Sequence, residues 1–385
     1  MIYLDNNATT PLAPEVRDAM LPHLGDAFGN PSSPHSAGMA AKQAVGEARA
    51  SVASLIGARA SEIVFTASAT EANHLAILGA LRAVEETRPQ RTHLVTTAVE
   101  HPATLMLFED LERQGWTVTR LPVDGGGRVA PADLRAAVDD TTALVSIMAA
   151  NNETGVILPV AEAADAARAC GALLHVDAVQ VAGRLPVDVD ALGADLLSLS
   201  AHKMHGPKGA GALYVRKGTA LHPLIHGHQE RRRRGGTENV PAIVGFGTAA
   251  RLAGIAVGDG AAAGIAALRD RLERGILASW PGSRVNGAGA DRVPNTTSIR
   301  FADGHGRPAE AEALLLRLDR AGIQVSMGAA CSSGGNAPSH VLLAMGLSPQ
   351  EASASLRFSL SRFTGAADID TVLTELPPLF ARQAA

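Results

Sequence analysis

Lysine and cysteine are scarce in this chain of 385 residues. Only four of its 34 basic residues are lysines, and it has only two cysteines. Two thiols exclude a disulfide framework, and they exclude a four-cysteine zinc or iron–sulfur site within one chain. A Schiff base must use one of the four lysines. The candidates for amine and thiol chemistry are therefore Lys42, Lys203, Lys208, Lys217, Cys170 and Cys331.

Several protein classes are disfavoured by what the composition lacks. The formal net charge of −4 and a single short arginine run, 231–234, give no reason to expect a nucleic-acid partner. No uninterrupted apolar run reaches the roughly 18 residues that span a bilayer, so no membrane segment is predicted. The N-terminus has no basic region followed by an apolar core, so it does not resemble a secretory signal. We therefore expect a cytoplasmic protein with reduced thiols and a sizeable core.

Familiar catalytic motifs are missing as well. The chain has no Gly-Lys dipeptide and hence no Walker A loop, and no G-x-G-x-x-G follows a predicted strand. It also lacks H-E-x-x-H and G-x-S-x-G. Nucleotide hydrolysis, zinc-protease chemistry and α/β-hydrolase chemistry each lose their usual signature.

What the sequence does contain is an alternation of strands and helices between positions 61 and 215. Continuous apolar and β-branched runs predict strands, and alanine-rich segments predict the helices between them. This indicates a mainly parallel sheet covered on both faces, with ligands bound beyond the carboxyl ends of the strands. The predicted strands are Ile63–Thr66, His93–Thr97, 118–122, 143–148, Leu173–Asp177, Leu196–Ser200 and 212–215, and the predicted helices include 71–85, 103–114 and Val160–Cys170.

The pattern changes after Thr237 and predicts a second, smaller α+β domain at the C-terminal end. We predict a large domain of residues 14–258 and a small domain formed by 1–13 together with 259–385. The elements predicted beyond Thr237 are helices at 240–256, Ala261–Ser279, 309–321 and 367–380, and strands at 297–301 and 357–360.

Lys203 and Asp177 form the most informative pair of residues. Lys203 follows the predicted strand Leu196–Ser200, at a strand end where a desolvated amine favours Schiff-base formation. Asp177 ends the preceding predicted strand, and a partly buried carboxylate there needs a cationic partner. A pyridinium nitrogen is such a partner, and this pairing is the usual frame for pyridoxal phosphate. The structural alternatives are an exposed loop lysine and a helix-capping or salt-bridging aspartate.

A phosphate site is predicted where the strand Ile63–Thr66 passes into a helix. The N-terminus of a helix offers free N–H groups and the positive end of its dipole to an anion, and Thr70 adds a hydroxyl. Alternatively, Thr70 and Glu71 would form only a helix cap. Ser200 and His202, beside the lysine, would supply further phosphate donors.

Two further strand ends carry polar residues. His101 follows the strand His93–Thr97, where an imidazole can stack on a planar cofactor and move protons near neutral pH. The segment 151–155 follows the strand 143–148, and its asparagines would donate hydrogen bonds to a phenolate or a carboxylate. A histidine at a helix start and ordinary turn chemistry are the respective alternatives.

Cys331 and Arg357 are the remaining candidates. Cys331 lies in the Gly-, Ser- and Ala-rich segment 326–338, for which the sequence predicts a mobile loop and an accessible, reactive thiol. Cys170 ends an alanine-rich helix and is predicted to pack in the interior. Arg357 lies in a strand-like segment, where its guanidinium would bind a substrate carboxylate or form a structural ion pair.

Together these residues resemble the cysteine desulfurases, pyridoxal-phosphate enzymes of fold type I in the class V aminotransferase group. The resemblance covers nearly the whole chain, and the spacing from Cys331 to Pro338 resembles the branch that contains the housekeeping and nitrogen-fixation enzymes. Segments 151–155 and 228–231 are more similar to the nitrogen-fixation type. The motifs that carry the resemblance are 3–10, 29–33, 70–71, 100–102, 151–155, 175–180, 200–209, 236–239, 331–333 and 357–362.

The resemblance implies a role for each site residue. The catalytic residues would be Lys203, which holds the cofactor and removes the α-proton of the substrate, Cys331 and His101. Arg357, helped by Asn152, would bind the substrate carboxylate. Thr237 would reach the cofactor phosphate of the neighbouring subunit, which implies a homodimer. The implied cofactor-binding residues are Ala69, Thr70, His101, Asn152, Asp177, Gln180, Ser200, His202, Lys203 and Thr237.

The implied reaction removes sulfur from L-cysteine and leaves L-alanine and a persulfide on Cys331. The sulfur then passes to an iron–sulfur scaffold or another acceptor protein, with nitrogenase assembly among the implied uses. The resting enzyme would hold no metal, and Cys331 would at most be a transient iron–sulfur ligand. The implied fold has a large domain with a mainly parallel seven-stranded sheet and a smaller α+β C-terminal domain.

Three positions depart from the family pattern, and two alternatives to the main reading remain. Ser68 and Arg232 stand where the family usually has glycine, and His226 also departs, so the loop geometry around them is open. The first alternative is another pyridoxal-phosphate enzyme, such as a selenocysteine lyase or an aminotransferase. The second is a non-catalytic sulfur carrier or assembly factor on a decayed enzyme, although Lys203 and Asp177 argue against decay.

Overall fold

The computed structural model describes residues 1–302, 306–328 and 337–381, and its side chains as far as residue 378. Helices and strands alternate along most of this length. The strands are β1 (Ile2–Tyr3), β2 (Ile63–Thr66), β3 (His93–Thr97), β4 (Thr117–Leu121), β5 (Thr142–Met148), β6 (Leu173–Asp177), β7 (Leu196–Ser200), β8 (Gly211–Val215), β9 (Arg284–Asn286), β10 (Thr296–Arg300), β11 (Ile323–Gln324) and β12 (Ser355–Ser359). The helices are α1 (Pro14–Leu24), α2 (Ser36–Leu55), α3 (Ala69–Thr87), α4 (Pro102–Arg113), α5 (Pro131–Ala137), α6 (Val160–Cys170), α7 (Val240–Gly258), α8 (Ala261–Ser279), α9 (Ala311–Arg320), α10 (His340–Ala344), α11 (Pro349–Ser353) and α12 (Ala366–Ala381).

The central sheet has seven strands in the order β2-β8-β7-β6-β5-β3-β4. Strands β3 to β7 pair in parallel, whereas β8 runs antiparallel to both of its neighbours. Every residue of β5 and β7 is buried, as expected for strands covered on both faces. The predicted mainly parallel seven-stranded sheet is therefore confirmed, with β8 as its antiparallel member.

The register of the sheet brings several strand ends to one edge. Met148 at the end of β5 lies opposite Asp177 at the end of β6, and Asp177 lies opposite Ser198 near the end of β7. The predicted strands and helices of the sheet region match the observed ones to within two residues. Helices α1, α2 and α5 were not among the predicted elements.

The C-terminal part contains a three-stranded antiparallel sheet in the order β12-β10-β9. Its core includes residues from α8, α9, β12 and α12, and Leu4 of the N-terminal arm is fully buried in the same core. Strand β1 pairs in parallel with β11, with Ile2 opposite Ile323. The arm thus packs with the C-terminal elements, while the boundaries 14–258 and 1–13 with 259–385 stay a prediction.

Helix α7 is the one helix within the described ranges that is long and apolar enough, by length and composition, to cross a membrane. Half of that apolar window is buried inside the protein, where α7 packs against α1 and α2. A Cβ atom at Gly245 would lie 2.6 Å from the Sδ atom of Met20, and one at Gly247 would lie 2.4 Å from the Cα atom of Ala48. Such close backbone approach is typical of a helix packed in a protein core.

Arg232 occupies a backbone conformation that favours glycine, with φ of 65°. We expect Arg232→Gly to raise the free energy of unfolding by about 1 kcal/mol, because a side chain in the left-handed region is strained. Arg232 is exposed, so no buried contact is lost. Urea unfolding would measure the change. Lys217→Gly, at an exposed position outside the positive-φ set, is the control, and an equal gain in both variants would contradict the prediction.

Candidate active site

A cavity of about 450 Å³ opens at the carboxyl-end edge of the central sheet. Met148, Asp177 and Ser200, which end β5, β6 and β7, all line it. This is the position at which parallel α/β sheets bind ligands. Most of the predicted site residues line this one cavity, namely Ala69, Thr70, His101, Asn152, Asp177, Gln180, Ser200, His202, Lys203 and Arg357.

Asp177 is buried at the cavity wall and held by two neutral donors. Asn73 on α3 donates from Nδ2 to Oδ2 at 2.8 Å, and the Val179 backbone N–H donates to Oδ1 at 3.0 Å. Both donors are neutral, and no helix begins at Asp177, so a helix cap does not account for its burial. A buried carboxylate held by neutral donors favours a cationic ligand at this point of the cavity.

Lys203 lies in the short turn Ala201–Lys203 directly after β7. Its Nζ atom donates to the main-chain carbonyl of Ala8 at 2.8 Å and also to that of Asn7. The same Asn7 carbonyl accepts a hydrogen bond from Gln180 Nε2 at 3.2 Å, and Asn7 Nδ2 donates to the Asn152 carbonyl at 3.0 Å. The N-terminal arm therefore joins three predicted site residues through one asparagine.

The N-terminus of α3 forms one end of the cavity. Ser68 caps the helix, because its hydroxyl accepts the Glu71 N–H at 3.1 Å, and the Glu71 carboxylate accepts the Ala67 N–H at 2.8 Å. The cap thus uses Glu71 together with Ser68, so the capping alternative considered for Thr70 and Glu71 is confirmed for Glu71, whereas the role of Thr70 stays a prediction. The first N–H groups of the helix, at Ala69 and Thr70, have no intrahelical acceptor and remain available to an anion.

Ser200 and His202 lie at the same end. The Ser200 hydroxyl is buried and has no hydrogen-bond partner in the described part of the chain, which is costly unless a ligand supplies one. His202 Nδ1 lies 3.1 Å from Thr9 Oγ1. Burial, together with Lys203 and Lys208, lowers the pKa of His202 to about 4, so its imidazole is a neutral hydrogen-bonding group at physiological pH.

His101 is both the N-cap of α4 and a cavity residue. Its Nδ1 atom accepts the Ala103 N–H at 3.1 Å, so in the neutral ring the proton lies on Nε2. Burial lowers the pKa of His101, Asp177 opposes this, and Lys203 and His340 lower it further. The sequence-based alternative of a helix-start histidine and the predicted role at the site are both compatible with this position.

The segment 151–155 is a turn held together by Asn151. Its Oδ1 atom accepts the backbone N–H groups of Glu153 at 2.9 Å and Thr154 at 3.0 Å, and its Nδ2 donates to the Val99 carbonyl at 3.0 Å. Turn chemistry therefore explains Asn151. It also fixes the next residue, Asn152, which lines the cavity.

Arg357 lies on β12, lines the same cavity and is 2% exposed. Its Nη2 atom forms an ion pair with Asp5 at 2.6 Å, and Nη1 donates to the Asn152 carbonyl at 3.0 Å and the Gly328 carbonyl at 3.3 Å. Its Nε atom has no acceptor among the described residues. The structural ion pair considered from the sequence is present, and one donor of the guanidinium remains for a ligand.

Glu100, next to His101, is a fully buried carboxyl group. Its Oε1 atom accepts hydrogen bonds from Thr97 Oγ1 at 2.7 Å and from the Met148 N–H at 3.0 Å, whereas Oε2 has no partner within the described ranges. Burial raises the pKa of Glu100 to about 8, and the two hydrogen bonds only partly oppose this. The carboxyl group is therefore mainly protonated at neutral pH.

We expect Glu100→Gln to change how stability depends on pH. Between its usual pKa of 4.5 and about 8, Glu100 holds a proton in the folded chain but not in the unfolded chain. Its contribution to stability is therefore complete below pH 4.5 and is lost as the pH rises through 8. Between these two values the free energy of unfolding should fall by about 1.4 kcal/mol per pH unit. Glutamine cannot titrate, so the stability of the variant relative to the parent should rise across this window.

Unfolding in urea at a series of pH values would measure this difference. Glu109→Gln, at an exposed glutamate, is the control and should leave the pH profile unchanged. Parallel profiles for Glu100→Gln and the parent would contradict the prediction.

Two predicted residues, Thr237 and Cys170, do not line this cavity, and a third falls outside the described residues. Thr237 is exposed and lines a separate small pocket with Thr66 and Ala67. Cys331 lies outside the described residues, so its place relative to the cavity stays a prediction. Cys170 is partly buried against the main core, with Sγ 3.6 Å from the Val138 carbonyl, and packs as predicted.

The cavity also contains functional candidates that sequence reasoning did not single out. They are Asn7, Asn73, Glu153 and His340. A signal existed for Asn73, which lies three residues after Thr70 and hence on the same side of α3. Asn7 and Glu153 belong to motifs of the family resemblance, but nothing in the local sequence of these two residues or of His340 shows that they face a ligand.

Comparison with known proteins identifies the family of this chain. The family model described as Aminotransferase class-V matches residues 2–372. The chain is 53% identical to a cysteine desulfurase of Cereibacter sphaeroides, over 98% of this chain and 95% of that protein. It is 49% identical to cysteine desulfurase 2 of Trichormus variabilis, over 99% of this chain and 94% of that protein.

Solved structures agree with this assignment. A structure titled as a NifS-like protein superposes with a TM-score of 0.90 at 36% identity and covers 99% of both chains. A structure titled "SspA in complex with cysteine" has a TM-score of 0.81 at 34% identity and covers 95% of this chain and all of that one. The family model covers nearly the whole chain, and full-length relatives are found both among known sequences and among solved structures. This chain therefore belongs to the class V aminotransferase family.

Proposed function

We propose that the protein is a pyridoxal-phosphate-dependent cysteine desulfurase, which converts L-cysteine to L-alanine and transfers the sulfur to Cys331. The observation that carries the proposal is the meeting of Lys203, Asp177 and His101 in one cavity, between an anion-binding helix end and Arg357. The full-length relatives called cysteine desulfurases support it.

The residues of the cavity fit pyridoxal phosphate. Ser200 presents a buried hydroxyl without a partner among the described residues, beside the free N–H groups of α3, which suits a phosphate. Asp177 suits the ring nitrogen, because it is a buried carboxylate whose hydrogen bonds come from the neutral Asn73 amide and the Val179 N–H. Asn152 and Gln180 would bind near the phenolic oxygen. The group supplies an electron sink that stabilises negative charge at the α-carbon of a bound amino acid.

The roles of Lys203 and His101 follow from their surroundings. The carbonyl groups of Asn7 and Ala8 hold Lys203 Nζ inside the cavity, where it can take the α-proton of the substrate and later return it. His101 would lie against the ring with its neutral Nε2–H turned away from the helix end, so it can donate a proton or hold one at that atom.

Arg357 would bind the carboxylate of L-cysteine. It is buried, it lines the cavity, and its Nε has no acceptor in the described part of the chain. Asn152 lies beside it and would help to orient the substrate. The solved relative titled as a complex with cysteine is consistent with this choice of substrate.

The sulfur step is balanced without an added oxidant or reductant. The Cys331 thiolate attacks the substrate sulfur, the carbon–sulfur bond breaks, and its electron pair remains with the carbon. That carbon takes one proton, so L-cysteine and a thiol give L-alanine and a persulfide. The persulfide then passes its outer sulfur to an acceptor protein.

A homodimer follows from two features of the proposal. Thr237 is exposed and lies outside the cavity, so it can bind a cofactor phosphate only in a neighbouring subunit. The N-terminal helical region also exposes large apolar side chains, among them Phe28 at 81%, Leu24 at 67%, and Leu21 and Met39 at 54% each. Burial of these side chains against a second copy would be favourable.

We further propose a cytoplasmic enzyme that supplies iron–sulfur cluster assembly, with nitrogenase as one client. A reduced compartment suits a reactive thiol and a chain without a disulfide framework. The sulfur acceptor would be a scaffold protein, and neither a nucleic acid nor a membrane is part of the proposed function.

The test is turnover of L-cysteine by the purified protein supplied with pyridoxal phosphate and a thiol reductant. Equal amounts of L-alanine and sulfide would support the proposal. L-Selenocysteine as a competing substrate separates a desulfurase from a selenocysteine lyase, and an amino-group acceptor such as a 2-oxo acid tests for transamination. The proposed function would be overturned if no alanine formed from L-cysteine, or if alanine formed only in the reaction with the 2-oxo acid.

A further inference from the structure

Glu153 is a buried carboxylate at the rim of the cavity that has no place in the proposed chemistry. It is 3% exposed and lies in the turn that Asn151 holds together. Asn151 also donates a hydrogen bond to the Val99 carbonyl, so the turn that carries Glu153 is attached to the segment that follows β3 of the central sheet.

Glu153 contacts two residues that are distant from it in the sequence but lie within eight positions of Cys331 in the sequence. Its Oε2 atom accepts a hydrogen bond from Ser339 Oγ at 2.5 Å. The same oxygen packs against Gly328 so closely that a Cβ atom there would lie 2.7 Å from it. Gly328 and Ser339 lie on either side of residues 329–336, which include Cys331. One carboxylate therefore contacts both flanks of the segment that carries the predicted thiol.

Each flank is also held by a second cavity residue. Arg357 Nη1 donates to the Gly328 carbonyl at 3.3 Å, and the Ser326 hydroxyl accepts the Gly328 N–H at 3.2 Å. On the other side, Ser339 caps α10, and His340 at the start of that helix donates from Nε2 to the Glu100 carbonyl at 2.9 Å. Glu153 contacts a residue on each of the two sides.

The charge around Glu153 is consistent with this role. Burial raises its pKa, and the Ser339 hydrogen bond, His340 and Arg357 oppose that effect. The carboxyl group thus has a donor and two basic neighbours, which favour keeping it in place.

We propose that Glu153 is a positioning residue for sulfur transfer, which fixes both flanks of the Cys331 segment relative to the cavity. The inference rests on the proposed function, because it assigns to Glu153 the geometry of the step that Cys331 performs. It predicts that Glu153 matters for the sulfur step and not for removal of the α-proton, since the contacts described above are made to Ser339 and Gly328, which flank the Cys331 segment.

The experiment compares the two steps in Glu153→Ala and in the parent enzyme. Exchange of the α-proton of L-alanine with deuterium oxide needs Lys203 but no thiol, whereas alanine formation from L-cysteine needs both. We expect alanine formation to fall roughly 10- to 100-fold, as for a misplaced reacting group, and exchange to stay within about twofold. Glu273→Ala, which removes a partly buried glutamate paired with Arg292 away from the cavity, is the control and should change neither rate.

A second measurement tests the contact itself without activity. Thermal unfolding of Glu153→Met, Ser339→Ala and the double variant forms a double-mutant cycle. Methionine keeps the approximate size of the side chain but has no strong acceptor for the Ser339 hydroxyl, so these variants are expected to fold without this hydrogen bond. The two changes should be non-additive, because they remove the same hydrogen bond, and additive losses would overturn the inference.

The outcomes separate the inference from the proposed function. Failure of the parent enzyme to form alanine from L-cysteine would overturn the proposed function. An active parent with equal losses of exchange and alanine formation in Glu153→Ala would overturn only the role of Glu153, and so would an active parent with no loss in either.

Discussion

Replacement of Lys203 by alanine is expected to lower alanine formation from L-cysteine by about 10⁴-fold or more, because one amine both holds the cofactor and moves the α-proton. Its Nζ atom lies at the end of β7, held by the carbonyl groups of Asn7 and Ala8. The remaining lysines lie elsewhere in the sequence, and none of them lines the cavity among the described residues. Deuterium exchange at the α-carbon of L-alanine should be lost as well.

Lys208→Ala is the matched control for this prediction. Lys208 lies five positions later in the same glycine-rich segment and is exposed, so its loss should leave both rates unchanged. Covalent reduction of the cofactor-loaded protein with borohydride, followed by peptide mapping, should label Lys203. A label on another lysine, or substantial turnover by Lys203→Ala, would contradict the assignment.

Replacement of Cys331 by alanine is expected to separate the two halves of the reaction. Alanine formation should fall at least about a thousandfold, because no other thiol is available to accept the sulfur. Exchange of the α-proton should persist, since that step needs Lys203 and the cofactor only. This prediction derives from the sequence and the chemistry, because Cys331 lies outside the described residues.

Cys170→Ala is the control thiol variant. Cys170 packs at the end of α6 with Sγ directed to the Val138 carbonyl, so its loss should leave both steps near the parent rate. Full desulfurase activity in Cys331→Ala would contradict the proposed sulfur route. It would favour a reaction in which sulfur leaves without a protein thiol, as in the lyase alternative.

The sheet and the residues at its strand ends were predictable from the sequence for a physical reason. In a parallel sheet the chain direction is the same in neighbouring strands, so residues that end strands meet at one edge. Asp177, Ser200 and the lysine after β7 follow that rule, and the structure brings them to one cavity. The family resemblance added the roles, which stay predictions.

Other parts of the site depend on contacts that local patterns do not encode. Asn7 reaches Lys203 and Gln180 only because β1 and Leu4 fix the N-terminal arm on the C-terminal core. The pairing of Arg357 with Asp5 has the same origin. Neither contact follows from periodicity or turn chemistry, since the partners lie between 173 and 352 positions apart in the chain.

Residues that depart from a family pattern were also difficult to interpret from sequence alone. Ser68 adopts an extended backbone and caps α3, so a serine serves where the family usually has glycine. Arg232, in contrast, retains the left-handed backbone that glycine favours. His226 lies next to the Gly235 backbone, where a Cβ atom at Gly235 would be 2.2 Å from the His226 carbonyl oxygen. Residues that depart from the family pattern therefore have different structural consequences at these three positions.

The central claim is that Lys203 moves the α-proton of L-cysteine and that the sulfur is transferred to Cys331. The most direct test is a single turnover of the cofactor-loaded enzyme with sulfur-labelled L-cysteine in the absence of reductant, followed by alkylation and mass spectrometry of the cysteine peptides. We expect one labelled sulfur on the Cys331 peptide, matched by an equal amount of L-alanine, with no label on the Cys170 peptide and no label on either peptide in Lys203→Ala. L-Alanine formed while the Cys331 peptide stays unlabelled would contradict it.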